Sequence, residues 1–280
     1  MLISFIKKEN FKKYIIYELL ILISFAYALI IIPSDKFEIS FLDVGQGDAI
    51  FIKTQKNKQI LIDGGPSNVV VEKLNEVMPF FDRTIDLLIL THPDYDHLSG
   101  ALEVLKRLDV KNVLMTGVYM ESTYYDEFMK ELKSKDINIL IADSENDFKI
   151  DEVYFDILYP FENISNEKFD PINNSSIAIL LRYKDLKIFL GGDIEIKIED
   201  ELINTYKNLD VDIYKASHHG SKTSSSLNFL QFLKPETVII QVGKDNIYKH
   251  PSLSVLNNFA QVGMDNIYRT DIDGSIKIIH

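Results

Sequence analysis

His92-Pro93-Asp94-Tyr95-Asp96-His97 packs two imidazoles and two carboxylates into six consecutive residues. The stretch 86–90 before it is short and apolar at Leu87-Leu88-Ile89-Leu90, the pattern of a buried strand. Leu98-Ser99-Gly100 behind it opens a helix predicted over 98–107. A tight turn between the two points several side chains into one space, at the strand end where α/β folds place their chemistry. Without a cation, groups held so close repel and desolvate one another. A divalent metal resolves the conflict, so the cluster reads as a metal site. A solvated acidic turn with incidental histidines is the bland alternative, and the apolar strand before it argues against that.

Two further motifs lie downstream. Asp193 ends the predicted strand 186–190 through Gly191-Gly192, whose lack of side chains allows close backbone approach. Alone this is ordinary turn chemistry; beside the first cluster it suits a carboxylate bridging two metals. Ser217-His218-His219-Gly220-Ser221 follows the predicted strand 211–216. His218, the first of the pair past the strand end, is the better ligand candidate, and His219 is the one to face a substrate. His250 precedes Pro251 and is a candidate to contact substrate, with a plain helix-entry position as its alternative. His280 is the terminal residue and is set aside.

The chain around these motifs has 280 residues, 46% hydrophobic and 26% charged, with no cysteine. That length suffices for a substantial core. Absence of cysteine removes disulfides, thiolate ligands and cysteine nucleophiles together. The formal net charge of −12 argues against tight, non-specific binding of duplex nucleic acid, which needs lysine and arginine against phosphate. Strands are predicted near 37–44, 49–54, 59–63, 112–116, 138–142, 153–158, 177–183, 237–242 and 275–279. Helices are predicted near 69–79, 124–134, 195–207, 225–233 and 252–261. Two β-rich halves, each with helices, predict a sandwich of two mixed sheets with helices outside. The polar loop 160–176 is long enough to be functional. Gln241-Val242-Gly243-Lys244-Asp245-Asn246-Ile247-Tyr248 recurs as Gln261-Val262-Gly263-Met264-Asp265-Asn266-Ile267-Tyr268, which reads as shared turn chemistry.

Residues 14–33 are an apolar run preceded by Lys7, Lys8, Lys12 and Lys13, with Glu18 its one charge. Its length matches a membrane-crossing helix, and the lysines place the first dozen residues in the cytoplasm. Residues 1–33 are therefore expected to be a transmembrane anchor or a signal peptide, and 35–280 the hydrolytic domain. Ala26-Tyr27-Ala28 has the spacing of a cleavage site, whereas the apolar run continuing to Ile32 favours the anchor. A buried first helix is the third reading.

In their order along the chain, the three histidine- and aspartate-bearing motifs resemble the metallo-β-lactamase superfamily. More narrowly, the chain resembles stand-alone relatives of the hydrolase domain of the ComEC/Rec2 DNA-uptake channel. That resemblance is carried by Phe41-Leu42-Asp43-Val44-Gly45-Gln46-Gly47-Asp48, Ile62-Asp63-Gly64-Gly65, Asn173-Asn174-Ser175-Ser176 and His218-His219-Gly220-Ser221-Lys222-Thr223-Ser224. Tyr248-Lys249-His250-Pro251 and Tyr268-Arg269-Thr270-Asp271-Ile272-Asp273-Gly274 extend it, so that it covers residues 37–279. It implies an α/β fold of the αββα sandwich type. Two departures from the wider superfamily stand out. Asp94 occupies a usual histidine position, and no histidine falls between His97 and His218, where Asn173 or Asn174 lies. The competence-type branch shares both.

The resemblance implies a metal-dependent phosphodiesterase or nuclease acting outside the cytoplasmic membrane, anchored or secreted, on a phosphodiester such as single-stranded DNA and without a stable nucleic-acid complex. Two divalent ions are expected, Mn²⁺ or Zn²⁺ first and Mg²⁺ next, because carboxylate and amide oxygens harden the site. One ion would take His92, Asp94 and Asp193; the other Asp96, His97, Asp193 and His218. Asp96 would orient the attacking water, and His219 or His250 would bond the phosphate or protonate the leaving oxygen. Asn174, Ser221, Lys222 and Thr223 are candidate substrate contacts, and Asp43 and Asp63 supports of the site. Two other readings compete: an envelope hydrolase of another phosphoester or ester, and a non-catalytic DNA-binding accessory of competence.

Overall fold

The computed structural model describes residues 11–24 and 36–280. The chain divides into two compact units, with the boundary between Ser34 and Asp35.

In the first unit, residues 11–24 are helical (α1). Among the described residues, no helix is long and apolar enough to cross a membrane. The expected span 14–33 is therefore unsupported among the described residues. The remainder of that span, from 25 onward, lies outside the described residues.

The second unit holds two seven-stranded sheets. The first runs, in spatial order, Ile276–Ile279 (β16), Glu38–Phe41 (β1), Ile50–Lys53 (β2), Gln59–Ile62 (β3), Leu87–Leu90 (β5), Asn112–Met115 (β7) and Asn138–Ile141 (β8). The second runs Ile267–Arg269 (β15), Thr237–Ile240 (β14), Ile213–Lys215 (β13), Leu186–Leu190 (β12), Ala178–Tyr183 (β11), Val153–Tyr159 (β10) and Phe148–Ile150 (β9). Thr84–Ile85 (β4) and Asp109–Val110 (β6) form a separate pair. Each large sheet is half antiparallel and half parallel. β3, β5, β7 and β8 pair in parallel, as do β12, β13, β14 and β15.

Alternation along the strands builds three apolar layers. On β5, Leu87 and Ile89 enter the layer between the sheets, while Leu88 and Leu90 face the helices. On β11, Ile179, Leu181 and Tyr183 face the other sheet, while Ala178 and Leu180 face outward. With both faces buried, β5 is apolar throughout and β11 is so but for Arg182, and each buried leucine or isoleucine contributes about 1.5–3 kcal/mol. Val69–Val77 (α2), Tyr95–Arg107 (α3) and Thr123–Ser134 (α4) cover the first sheet. Ile196–Thr205 (α5), Leu227–Leu233 (α6) and Leu253–Gln261 (α7) cover the second. The layering is the αββα sandwich expected.

α3 begins at Tyr95, three residues earlier than predicted. Asp94 caps it, its carboxylate accepting the Tyr95 N–H at 2.6 Å. Asp96 and His97 therefore lie on the first helical turn and not in the preceding loop.

Candidate metal centre

The parallel strands of both sheets end at one edge, and the chemistry-bearing residues follow those ends. Asp63 follows β3, Thr91 and His92 follow β5, Asp193 follows β12, and His218 and His219 follow β13. Asp96 and His97 come from the α3 N-terminus. His92 and His97 have ring centroids 4.2 Å apart, and His97 and His219 5.4 Å. The sets His92–His97–Asp193 and Asp96–His97–His219 each offer ligand atoms within 4.8 Å of one another.

In each buried imidazole, one nitrogen is held by protein and the other is left for the site. His97 Nδ1 is 2.8 Å from Asp63 Oδ2. That carboxylate is fixed by the N–H of Thr91 at 2.8 Å and its hydroxyl at 2.7 Å. His92 Nδ1 is 3.1 Å from Thr91 Oγ1. His219 Nδ1 is 3.0 Å from the Gln241 carbonyl oxygen and 3.2 Å from Asp48 Oδ1. Among the described residues, the Nε2 atoms of His92, His97 and His219 are buried and make no hydrogen bond. Asp193 Oδ2 is 3.3 Å from Nε2 of both His97 and His219, and Asp96 Oδ2 is 3.3 Å from His219 Nε2. Buried polar atoms without partners are costly. Imidazoles whose far nitrogen is locked by a carboxylate, hydroxyl or carbonyl are typical metal ligands. The donor set fits a divalent ion.

The electrostatics carry the same tension. Burial alone would raise Asp193, but His219 and His97 hold it well below the usual carboxylate range. Burial alone would lower His97 and His219, but their carboxylates lift both well above the ordinary imidazole value. Burial, with His97 beside it, takes His92 down to about 3.

The expected residues divide as follows. His92, Asp96, His97 and Asp193 converge. His219, assigned to the substrate, is 1% exposed and sits among these groups. His218, assigned to the metal, is half-buried on the cleft wall, its Nε2 4.0 Å from Asp193 Oδ2 and 3.1 Å from Asn173 Nδ2. β13 stops at Lys215, and both histidines then adopt left-handed backbone, φ 49° and 54°, so being first past the strand end does not decide which of them enters the cluster. Asp94 lines the cleft and caps α3, outside the compact sets. His250 also lines the cleft, its ring stacked on Tyr248 at 5.7 Å and 5.8 Å from His218; burial lowers it to about 4. Asn174 turns away from the cleft, its Oδ1 accepting the Glu195 N–H at 3.1 Å, while Asn173 reaches His218. Ser221 and Thr223 bond each other at 3.1 Å, and Thr223 Oγ1 lies 3.1 Å from His218 Nδ1, so they brace the turn; Lys222 is exposed. Asp43 holds its own turn through Gly45 N–H.

The sequence reading passed over Asp48, Lys215, Gln241 and Glu195. Lys215 carried a signal, a lysine between Tyr214 and Ala216 at a strand end, and Asp48 closes the motif 41–48, but neither was given a role. The cleft above the cluster has a volume of about 250 Å³, with Gln46, Pro66, Tyr95 and Tyr248 on its walls.

Comparison with known proteins agrees with this geometry. A family model described as the metallo-beta-lactamase superfamily matches residues 42–243. The chain is 30% identical over 272 residues to ComE operon protein 3 of Bacillus subtilis (strain 168), covering 90% of this chain and 34% of that protein. It is 27% identical over 251 residues to competence protein ComA of Neisseria gonorrhoeae, covering 88% and 33%. The chain thus spans about a third of the length of these relatives. A solved metallo hydrolase from the archaeon Ignicoccus hospitalis KIN4/I has the same fold, with a TM-score of 0.52 at 16% identity, covering 86% of this chain and 98% of that one.

Proposed function

The chain belongs to the metallo-beta-lactamase superfamily, and on that premise we propose that it is a phosphodiesterase or nuclease acting outside the cytoplasmic membrane. The observation that carries this reading is the convergence of three unpartnered imidazole nitrogens with Asp96 and Asp193 at the floor of an open cleft. His92, Asp96, His97, Asp193 and His219 would hold divalent ions. Bound there, such ions supply Lewis-acid charge for a phosphoryl group and ease the deprotonation of water.

The protein's own groups do the rest. Asp63, Thr91 and the Gln241 carbonyl fix the rings of His97, His92 and His219, so that little reorganisation is needed. Asp96, at the rim of the cluster, accepts a hydrogen bond from the attacking water and aims it. His250 and His218 on the cleft wall bond the phosphoryl oxygens. The exposed rings of Tyr95 and Tyr248 on that wall stack on unpaired bases, which supports a flexible, single-stranded substrate. The net charge of −12 supports the same preference over duplex. Oxygen donors beside the imidazoles favour Mn²⁺, with Zn²⁺ and Mg²⁺ as alternatives. The lysine-flanked apolar run 14–33 and the likeness to competence proteins support an envelope location, anchored or secreted.

The full chain in detergent, assayed on bis(p-nitrophenyl) phosphate, single-stranded oligonucleotide and duplex with Mn²⁺, Mg²⁺ and Zn²⁺ in turn, should cleave in a metal-dependent way. Asp96→Ala should reduce turnover to background. Unchanged turnover in the metal-loaded variant would remove this mechanism, and activity confined to duplex would overturn the substrate preference.

A further inference from the structure

Lys215 is a charged side chain at the end of an apolar strand, 0% exposed, directly behind the metal centre. Its ammonium pairs with Asp48 Oδ2 and donates to the Gly192 carbonyl oxygen at 3.3 Å. It also lies 3.9 Å from Asp193 Oδ1. Asp48 is 1% exposed, and its other oxygen faces His219 Nδ1 at 3.2 Å. Asp48, Asp193 and His219 offer ligand atoms within 4.8 Å of one another, a metal-binding spacing in its own right. Among the described residues, Oδ1 of Asp48 and of Asp193 is buried without a hydrogen bond. Two carboxylates and a backbone carbonyl are the donors a hard divalent cation takes. The ammonium stands among them.

We propose that Lys215 is the resident cation of a latent metal position formed by Asp48, Asp193 and the Gly192 carbonyl, and that its ammonium keeps a divalent ion out of that position. The consequence falls on two ligands of the centre. Asp48, neutralised by Lys215, remains available to orient His219 through Nδ1. Asp193, with Oδ1 turned towards the ammonium, presents Oδ2 to His97 and His219. A divalent ion in place of the ammonium would draw both carboxylates away from these tasks. Lys215 is in this sense a positioning residue. The proposal rests on the reading of the cluster as a metal centre and is independent of the substrate.

The test counts metal. The full chain is stripped of metal, loaded with excess Mn²⁺ and desalted, and Mn²⁺ per chain is measured by elemental analysis. Lys215→Ala removes the ammonium and leaves room for an ion, and should retain one more Mn²⁺ per chain than the wild type. Asp48→Asn/Lys215→Ala, which also removes the carboxylate charge, should return to the wild-type count. Equal, non-zero counts in Lys215→Ala and the wild type overturn the proposal and leave the metal centre standing. A wild type that retains no Mn²⁺ sinks the metal-centre reading and this proposal with it. If Lys215→Ala is insoluble through its unpaired buried carboxylate, it is produced in excess Mn²⁺: solubility restored by the ion, with the extra Mn²⁺ retained, supports the proposal, and insolubility with and without Mn²⁺ overturns it.

Discussion

His219 has both ring nitrogens placed, Nδ1 bonded to the Gln241 carbonyl with Asp48 Oδ1 3.2 Å away, Nε2 in the space shared with Asp96 and Asp193. His218, one residue earlier, keeps 21% side-chain exposure and bonds Asn173 and Thr223. Two successive non-glycine residues in left-handed backbone cost about 1–3 kcal/mol each, a strain that persists only where the surroundings over-determine it. Here Tyr214 Oη accepts the Ser217 N–H at 3.0 Å and Ser224 Oγ donates to the Ser217 carbonyl at 2.6 Å, pinning the turn. We expect His219→Ala to lose metal, and His218→Ala to keep the wild-type metal count while cleaving substrate more slowly. Asp63→Asn, which puts an N–H donor where Oδ2 accepts from both His97 and the Thr91 hydroxyl, should weaken metal affinity by about 10–100-fold. Calorimetric titration with Mn²⁺ checks all three, and a metal-free His218→Ala would reverse the assignment. Residue types in the cluster were legible because histidines and aspartates so close admit few readings. Which of His218 and His219 enters the cluster was not, because it depends on the left-handed turn that follows β13. The partnership of Lys215 with Asp48 was not legible either, since it joins positions 167 residues apart.

The turn after β3 is locked to the start of α3, and that contact sets Asp63 against His97. Gly64 N–H donates to the His97 carbonyl at 2.9 Å, and Gly100 N–H to the Gly65 carbonyl at 2.8 Å. A Cβ on Gly100 would lie 1.8 Å from the Gly64 carbonyl oxygen, and one on Gly64 1.9 Å from Ala101 N. Both neighbours are backbone and cannot step aside. Gly100→Ala should therefore destabilise the fold by about 1–3 kcal/mol, as overpacking does. Because the displaced turn carries Asp63, metal affinity should fall with it. Thermal denaturation and Mn²⁺ titration of the same variant check the coupling; a loss of stability with unchanged affinity would separate the packing from the site. At this scale the long, strongly patterned elements were legible. The start of α3 was placed late because the whole cluster 92–97 was read as a tight turn, whereas Asp94 caps the helix and Asp96 and His97 lie on its first turn. β9 and β15 were missed because three residues at a sheet edge show too little alternation. The two QVG copies share sequence and not structure: the first is a turn after β14, whereas the second closes α7 at Gln261 and runs into β15 at Ile267.

The two sheets meet at the metal centre from opposite sides of the sandwich. His92 comes from the β5–α3 connection beside the first sheet and Asp96 and His97 from the first turn of α3, while Asp193 and His219 follow the ends of β12 and β13 in the second. This layering was legible because both faces of the central strands are apolar, which forces helices outside and a second sheet within. The convergence was not, because it requires the parallel halves of both sheets to end at one edge. An ion held by both sheets links them in the folded state alone, so metal occupancy adds directly to stability. With free metal at a hundredfold its dissociation constant, that linkage amounts to about 2.7 kcal/mol. For a domain of this size it corresponds to a melting shift of about 5–10 °C. Chelation should lower the melting temperature of the full chain by this amount. His219→Ala, lacking a ligand from the second sheet, should melt at one temperature with or without Mn²⁺. A wild-type melting temperature indifferent to chelator would mean that no ion joins the sheets, however well the side chains converge.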